Sequence, residues 1–359
     1  MKKWTVLTAV LLLVATVLSA CGGGNNNGGN NAAGNTTGNA AANNEAAAGN
    51  SDTEAKKRVA LVTPEKIGVN QFFTQMVEGL DKAAGEFNLE TKVIESADPT
   101  QVEQNLRAAV AEKYDLIITA AYTAADALTK VAAENPDQAF AIIDTVVDAP
   151  NIRSIEFREY EAAYLLGAAA GLSTKTGTVG AIVAMDAPLL SKYTSGFDQG
   201  LKSVKPDATF LINYVGSFTD PAKAKELALL QNQKGADFIA GMAAVGDSGV
   251  FEAAKEKGFY TAGQDTDRTG EDPEHVVLSQ LKETDTVTYE TAKDFAAGNF
   301  TYGSISYGLK ENGVGVTFVT AESTSPLSAF IGQENVDKLK KIRDDIVSGA
   351  IVVTNPLAQ

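Results

Sequence analysis

The chain has 359 residues, with 45 acidic side chains against 30 basic ones and a formal net charge of −15. That excess argues against nucleic-acid polymers and anionic membrane surfaces as ligands, but not against one small molecule, which feels only local charge. A single cysteine excludes an intramolecular disulfide and a thiolate metal cage, and a single histidine leaves triad chemistry one possible base.

The N-terminus, Met1-Lys2-Lys3, is followed by an apolar run from Val6 to Leu18 and then by Ser19-Ala20-Cys21. A basic start, a short apolar centre and small residues at the cut form a secretory signal over residues 1–20. The small residues before Cys21 match the bacterial lipobox, which implies cleavage there and lipidation of the Cys21 sulfur. Loss of Lys2 and Lys3 takes the net charge from −15 to −17, and the only tryptophan, Trp4, leaves with them. Residues 21–56 are mostly Gly, Asn, Ala and Thr, a composition that cannot bury a core and reads as a flexible tether. No later stretch approaches the roughly 20 apolar residues of a membrane span. The expected location is the extracytoplasmic face of the cell membrane, anchored by lipid.

Beyond the tether, strands are predicted at 58–63, 92–94, 115–119 and 139–144, alternating with helices over 70–86, 100–112 and 123–134. The pattern restarts with helix 159–172 and strand 178–184, then helix 191–204 and strand 210–215. Helix 221–233, strand 237–241, helix 249–257 and strands 260–263 and 276–281 continue it. Strands apolar on both faces and separated by helices indicate parallel sheets covered on both sides. The fold class is α/β, with two doubly wound parallel-sheet lobes joined by a multi-strand hinge. The N-terminal lobe is placed at 57–155 and the C-terminal lobe at 156–282. Segments 285–297, 314–320 and 334–348 are to be shared between them.

Two such lobes form a cleft between the carboxyl ends of their sheets, where ligands of open α/β sheets bind. Strand-end residues are therefore the candidates. Asp144 can accept two hydroxyl hydrogens from a sugar diol, or simply start a turn. Asp265 and Asp267 are two apart, but the calcium-loop pattern does not continue past them, so hydrogen bonding to ligand by Asp265 is the better reading. Lys282 can donate to a ligand, pair with Asp265, or be a solvated surface lysine. Phe72 and Phe218, each just past a strand end, can sandwich a planar ring or fill the core, and Tyr122 is a third aromatic candidate.

An enzyme reading rests on Gly246-Asp247-Ser248-Gly249, a hydrolase-like serine environment, and on Asp272-Pro-Glu-His275, with the Asp-x-x-His spacing of GDSL esterases. The order fails, because that esterase family keeps its serine far from its histidine. The simpler expectation is that 246–249 opens a helix capped by Asp247 or Ser248. No phosphate loop, His-Glu-x-x-His motif or dinucleotide fingerprint is present, and no cofactor is called for.

Taken in order, Val59–Thr63, Glu78-Gly-Leu80, residues 114–118, Phe140-Ala-Ile-Ile-Asp144, Tyr214-Val-Gly-Ser-Phe-Thr-Asp-Pro221, 249–255 and Val277-Leu-Ser-Gln-Leu-Lys282 resemble the basic membrane protein family of lipoproteins. That family includes purine nucleoside receptors and Med-type lipoproteins. The resemblance covers residues 57 to about 355 and implies the type I periplasmic-binding-protein fold; a monomer is expected. It further implies capture of a small ligand, a purine nucleoside, for the permease of an ABC importer. A ligand-responsive Med-like regulator or sensor is the alternative. By the same resemblance Phe72 and Phe218 stack the base, Asp144 and Asp265 hold ribose or base, Lys282 donates, and the backbone at Ala244 and Gly246 lines the floor. The family's Asp-Lys-Ser-Phe-Asn-Gln segment is replaced here by 69–74, with Asn70 supplying part of the lost polarity. Its Gly-Gly-Thr-Gly turn is replaced by 244–247.

Overall fold

Short runs of Val, Ile, Leu and Ala make strands because β-branched side chains suit a pleated surface that is covered on both sides. In chain order the first elements are β1 (Arg58–Thr63), α1 (Gln71–Phe87), β2 (Glu90–Glu95), α2 (Val102–Ala111), β3 (Leu116–Ala120), α3 (Ala125–Glu134), β4 (Ala139–Ile143) and β5 (Ile152–Phe157). Next come α4 (Glu159–Ser173), β6 (Thr178–Val183), α5 (Pro188–Val204), β7 (Thr209–Tyr214), α6 (Pro221–Gln233) and β8 (Phe238–Met242). They are followed by α7 (Asp247–Lys257), β9 (Tyr260–Asp265) and β10 (Val276–Lys282). The chain closes with α8 (Thr284–Ala297), β11 (Gly303–Tyr307), β12 (Val314–Val316) and α9 (Gln333–Val347). This computed structural model describes residues 55–358; the signal, Cys21 and nearly all of the tether lie outside the described residues.

One sheet runs β11-β5-β4-β3-β1-β2 and is parallel throughout. The other runs β12-β10-β9-β8-β6-β7 and is parallel except for β12, which lies antiparallel to β10. Each is a doubly wound α/β lobe. The chain crosses between them three times, from β5 to α4, from β10 to α8 and from β11 to β12. The tail is thereby divided. Helix α8 packs on α1 and β11 extends the first sheet, while β12 and α9 join the second lobe. The segment expected to run as one stretch over 314–320 leaves the sheet after Val316. There Phe318 takes a left-handed φ of 65° and its N–H donates to the Ala321 carbonyl at 2.7 Å, forming a turn.

Every residue of β3, β4 and β8 is buried. Each Ile or Leu so buried stabilises the fold by roughly 1.5–3 kcal/mol. Helix α4 is apolar on all sides and buried almost from end to end, as a helix trapped between layers must be. It approaches α5 closely through Gly167 on α4 and Gly196 and Gly200 on α5. A β-carbon at any of these would strike main-chain atoms of the facing helix: Phe197, Tyr160 and Tyr164 respectively. These glycines bring α4 hard against α5 and so fix where the first inter-lobe crossing enters the second lobe.

Candidate functional site

The carboxyl ends of the two sheets face one cleft lined from both lobes, the place where ligands of open α/β sheets bind. Four non-glycine residues at these strand ends take left-handed backbone: Ala121 (φ 66°), Asp144 (73°), Ala244 (53°) and Asp265 (71°). They fall in matching places, after β3 and β4 in one lobe and at β8 and β9 in the other. All four line the cleft. Such backbone costs on the order of 1–3 kcal/mol per residue and persists where the surroundings over-determine it, as at ligand sites.

Asn70, Phe72, Tyr122, Asp144, Phe218, Ala244, Asp265 and Lys282 all border this space. Phe72 comes from α1 in one lobe and Phe218 from the loop after β7 in the other, so the two rings reach the cleft from opposite sides. Asn70 caps α1. Its Oδ1 accepts from the Phe72 N–H at 3.2 Å, which fixes the start of the helix and the ring that follows. The Phe72 carbonyl is tied to the Thr284 hydroxyl at 2.9 Å, joining α1 to the second inter-lobe crossing.

Gly246 does not border the cleft. It sits one turn behind, where its N–H donates to the Phe218 carbonyl at 3.2 Å, so it buttresses an aromatic wall and forms no part of the floor. Nor does Asp247 or Ser248 cap α7. The cap position is Gly246, without a side-chain bond. Asp247 instead turns back to accept the Ala243 N–H at 2.7 Å, holding the turn that presents Ala244. Ser248 Oγ donates to the Val245 carbonyl at 3.0 Å, and His275 Nδ1 lies 3.0 Å from Asp272 Oδ2. Each is satisfied locally, and the hydrolase arrangement does not form. Asp267 accepts from the Thr269 N–H and hydroxyl at 3.0 and 2.6 Å and is not paired with Asp265 around a cation. Among the described residues no cluster of three or more His, Cys, Asp or Glu side chains is placed to hold a metal.

Lys282 is the electrostatic centre. Its Nζ lies 2.7 Å from Asp144 Oδ1 and 3.0 Å from Glu159 Oε1, and it does not pair with Asp265. Glu159 also accepts from Lys192 Nζ at 3.0 Å, and Lys192 donates to the Phe157 carbonyl at 2.8 Å. The rings of Phe72, Phe157 and Tyr193 surround the Lys282 ammonium at 5.6, 5.2 and 5.3 Å, within cation–π range. Burial would lower the Lys282 pKa, but Asp144 and Glu159 together hold it well above the usual lysine value. Burial raises Glu159, and the two lysines overcome this and bring it below the carboxylate range. Asp144 is held up by burial against the pull of Lys282. Asp265 is also raised by burial, against Lys282 and Arg268. The floor thus combines fixed acceptors with a fixed donor, as hydroxyl groups require.

Several residues of the cleft wall, and of the buried charge network behind it formed by Glu159 and Lys192, escape sequence reasoning. Glu159, Lys192 and Tyr193 lie inside helical patterns and look like ordinary helix residues. Glu65 lies in a Pro-Glu-Lys-Ile-Gly stretch that reads as surface loop. Gln264 was within reach of the rule that strand ends point into the cleft, because β9 runs two residues past the predicted 263.

Two α/β lobes, three crossings and a strand-end cleft lined from both sides define a two-lobed solute-binding protein. In agreement, residues 56–355 match the Bmp family model, described as ABC transporter substrate-binding protein PnrA-like. The chain belongs to this family, whose members are substrate-binding components of importers and not enzymes. It is 32% identical, over 82% of its length and 88% of the relative's, to the ABC transporter nucleoside-binding protein BmpA of Lactococcus lactis subsp. cremoris. It is also 32% identical to an uncharacterized lipoprotein of Pyrococcus abyssi, over 73% of this chain and 70% of that one. Among solved structures, an ABC transporter solute-binding protein from Aeropyrum pernix K1 superposes with a TM-score of 0.74 at 26% identity, covering 84% of this chain and 94% of that chain.

Proposed function

We propose that the head captures a purine nucleoside and hands it to the permease of an ABC importer, while lipid on Cys21 holds the protein at the extracytoplasmic face of the membrane. The observation that carries the reading is that Phe72 and Phe218 border one cleft from opposite lobes, above a floor made by Asp144, Asp265 and Lys282. A flat base fits between two rings, a stacking worth about 0.5–1.5 kcal/mol per pair beyond burial. Ribose hydroxyls donate to carboxylates and accept from an ammonium. An analogue lacking a hydroxyl leaves a buried charged group unmatched, which costs more than the lost bond. The relative from Lactococcus, named for nucleoside binding, supports the ligand class, and the Pyrococcus relative, named a lipoprotein, supports the anchor.

Titration calorimetry of folded, ligand-stripped protein with a panel of ribonucleosides tests the ligand. Saturable heat with purine nucleosides, weaker for the 2′-deoxy forms, is expected. Absence of heat with every nucleoside overturns the reading. Replacing Cys21 with Ser tests the anchor, with the variant expected in the medium or periplasm and not in the membrane fraction.

A further inference from the structure

Glu65, in the loop between β1 and α1, belongs to the cleft wall but not to the charged floor. It is half-buried, and Asn70 Nδ2 approaches its Oε1 at 3.3 Å. The Asn70 amide cannot turn to offer its oxygen instead, because Oδ1 is committed to the Phe72 N–H. Burial pushes the Glu65 carboxyl up, opposed by the Asn70 bond, and the Glu65 charge in turn helps raise the Tyr122 hydroxyl. Asp144, Asp265 and Lys282 stand at the ends of β4, β9 and β10, whereas Glu65 and Asn70 stand in the loop after β1 and Tyr122 just after β3. The cleft therefore has two polar groups. One is the floor, and the other is Glu65 with Asn70 and Tyr122, beside the Phe72 ring. For a nucleoside with its hydroxyls on the floor and its base against the Phe72 ring, Glu65 is the carboxylate of the cleft lining that stands outside the floor.

We infer that Glu65 reads that edge and selects 6-oxopurine nucleosides over adenosine, an assignment that rests on the nucleoside reading above. An ionised carboxylate only accepts hydrogen bonds. Guanine offers it N1–H and the 2-amino group side by side, the paired-donor geometry that carboxylates bind in bidentate fashion. Hypoxanthine offers N1–H alone. Adenine presents a lone pair at N1, so a half-buried carboxylate would face another acceptor, and both groups would be left without donors. A carboxamide in the same place could donate to adenine N1 and accept from its 6-amino group. The difference between Glu and Gln at position 65 is thus a change of preferred base.

The test is calorimetry of the intact, ligand-stripped protein with guanosine, inosine, adenosine and 1-methylguanosine, on wild type and on Glu65→Gln, with melting curves as a folding control. Guanosine and inosine are expected to bind at least about tenfold more tightly than adenosine, and 1-methylguanosine at least about tenfold more weakly than guanosine. In Glu65→Gln the guanosine-to-adenosine ratio is expected to fall by about tenfold or more, with an unchanged melting temperature. Equal binding of adenosine and guanosine by wild type, or an unmoved ratio in the variant, overturns the assignment and leaves nucleoside capture standing. Silence with all four ligands overturns both.

Discussion

Lys282 Nζ and Asp144 Oδ1 meet at 2.7 Å, although the lysine ends a strand of one sheet and the aspartate follows a strand of the other. The pair spans the lobes with both side chains buried. It forms part of the floor of the cleft, and Glu159 supplies a second carboxylate to the same ammonium.

Replacing Lys282 with Met should therefore cost more than an ordinary surface lysine would. Two buried carboxylates lose their shared cation, a loss of about 3–5 kcal/mol. Urea denaturation at neutral pH is expected to show it, and the deficit should shrink at acid pH as the carboxyls take up protons. On the proposed reading, nucleoside binding by this variant falls at least about a hundredfold.

Phe218 is only half-buried and its wall is held from behind by Gly246. On the proposed reading, Phe218→Ala raises the nucleoside Kd about tenfold or more while leaving the melting temperature nearly unchanged. Phe218→Tyr, which keeps the ring, should bind within a few-fold of wild type. Calorimetry beside thermal melting separates the two effects, and a collapse of stability in the alanine variant would mean that this ring serves the core.

The close approach of α4 and α5 makes its own prediction. Gly200→Ala adds one methyl group where Tyr164 main-chain atoms already stand. Overpacking of this kind costs typically 1–3 kcal/mol, and more where backbone must move. A lowered urea midpoint is expected, with weaker ligand binding, because α4 carries Glu159, the carboxylate that holds Lys282 from behind the floor.

Glu283 lies just before α8, at the second crossing, and burial together with Asp285 pushes its carboxyl up to about 7. A raised acid favours the protonated folded form, so its contribution is greatest below about pH 4.5 and is lost as pH rises toward about 7. Glu283→Gln should match wild type near pH 4 and exceed it at pH 8. After solvent screening the gain is on the order of 1 kcal/mol, a melting-temperature rise of a few degrees. Equal melting curves at both pH values would refute the assignment.

The strands that bind the layers together were readable because their runs are apolar on both faces. Strand β5 was not, since Arg153, Ser154 and Glu156 interrupt it. Its polarity makes sense only in three dimensions: Arg153 pairs with Asp294 at 2.9 Å and lies over the Phe300 ring at 4.2 Å. Strand β11, Gly-Ser-Ile-Ser-Tyr, is a partly exposed edge strand with little apolar signal. In the cleft, Asp144, Asp265, Lys282, Phe72 and Phe218 could be picked out because strand ends point there. Glu159 and Lys192 could not, because a helix sequence does not announce that its charged residues will be buried against a neighbouring lobe. Gly246 was misplaced for the opposite reason: Ala244, two residues before it, meets the cleft, and the short helical turn over Ala244–Gly246 decides which of the two does.

Both ammonium groups under the cleft already have carboxylate partners, Lys282 in Asp144 and Glu159, and Lys192 in Glu159. A phosphate ester would carry up to two further negative charges into a chamber without a spare counter-ion among these groups.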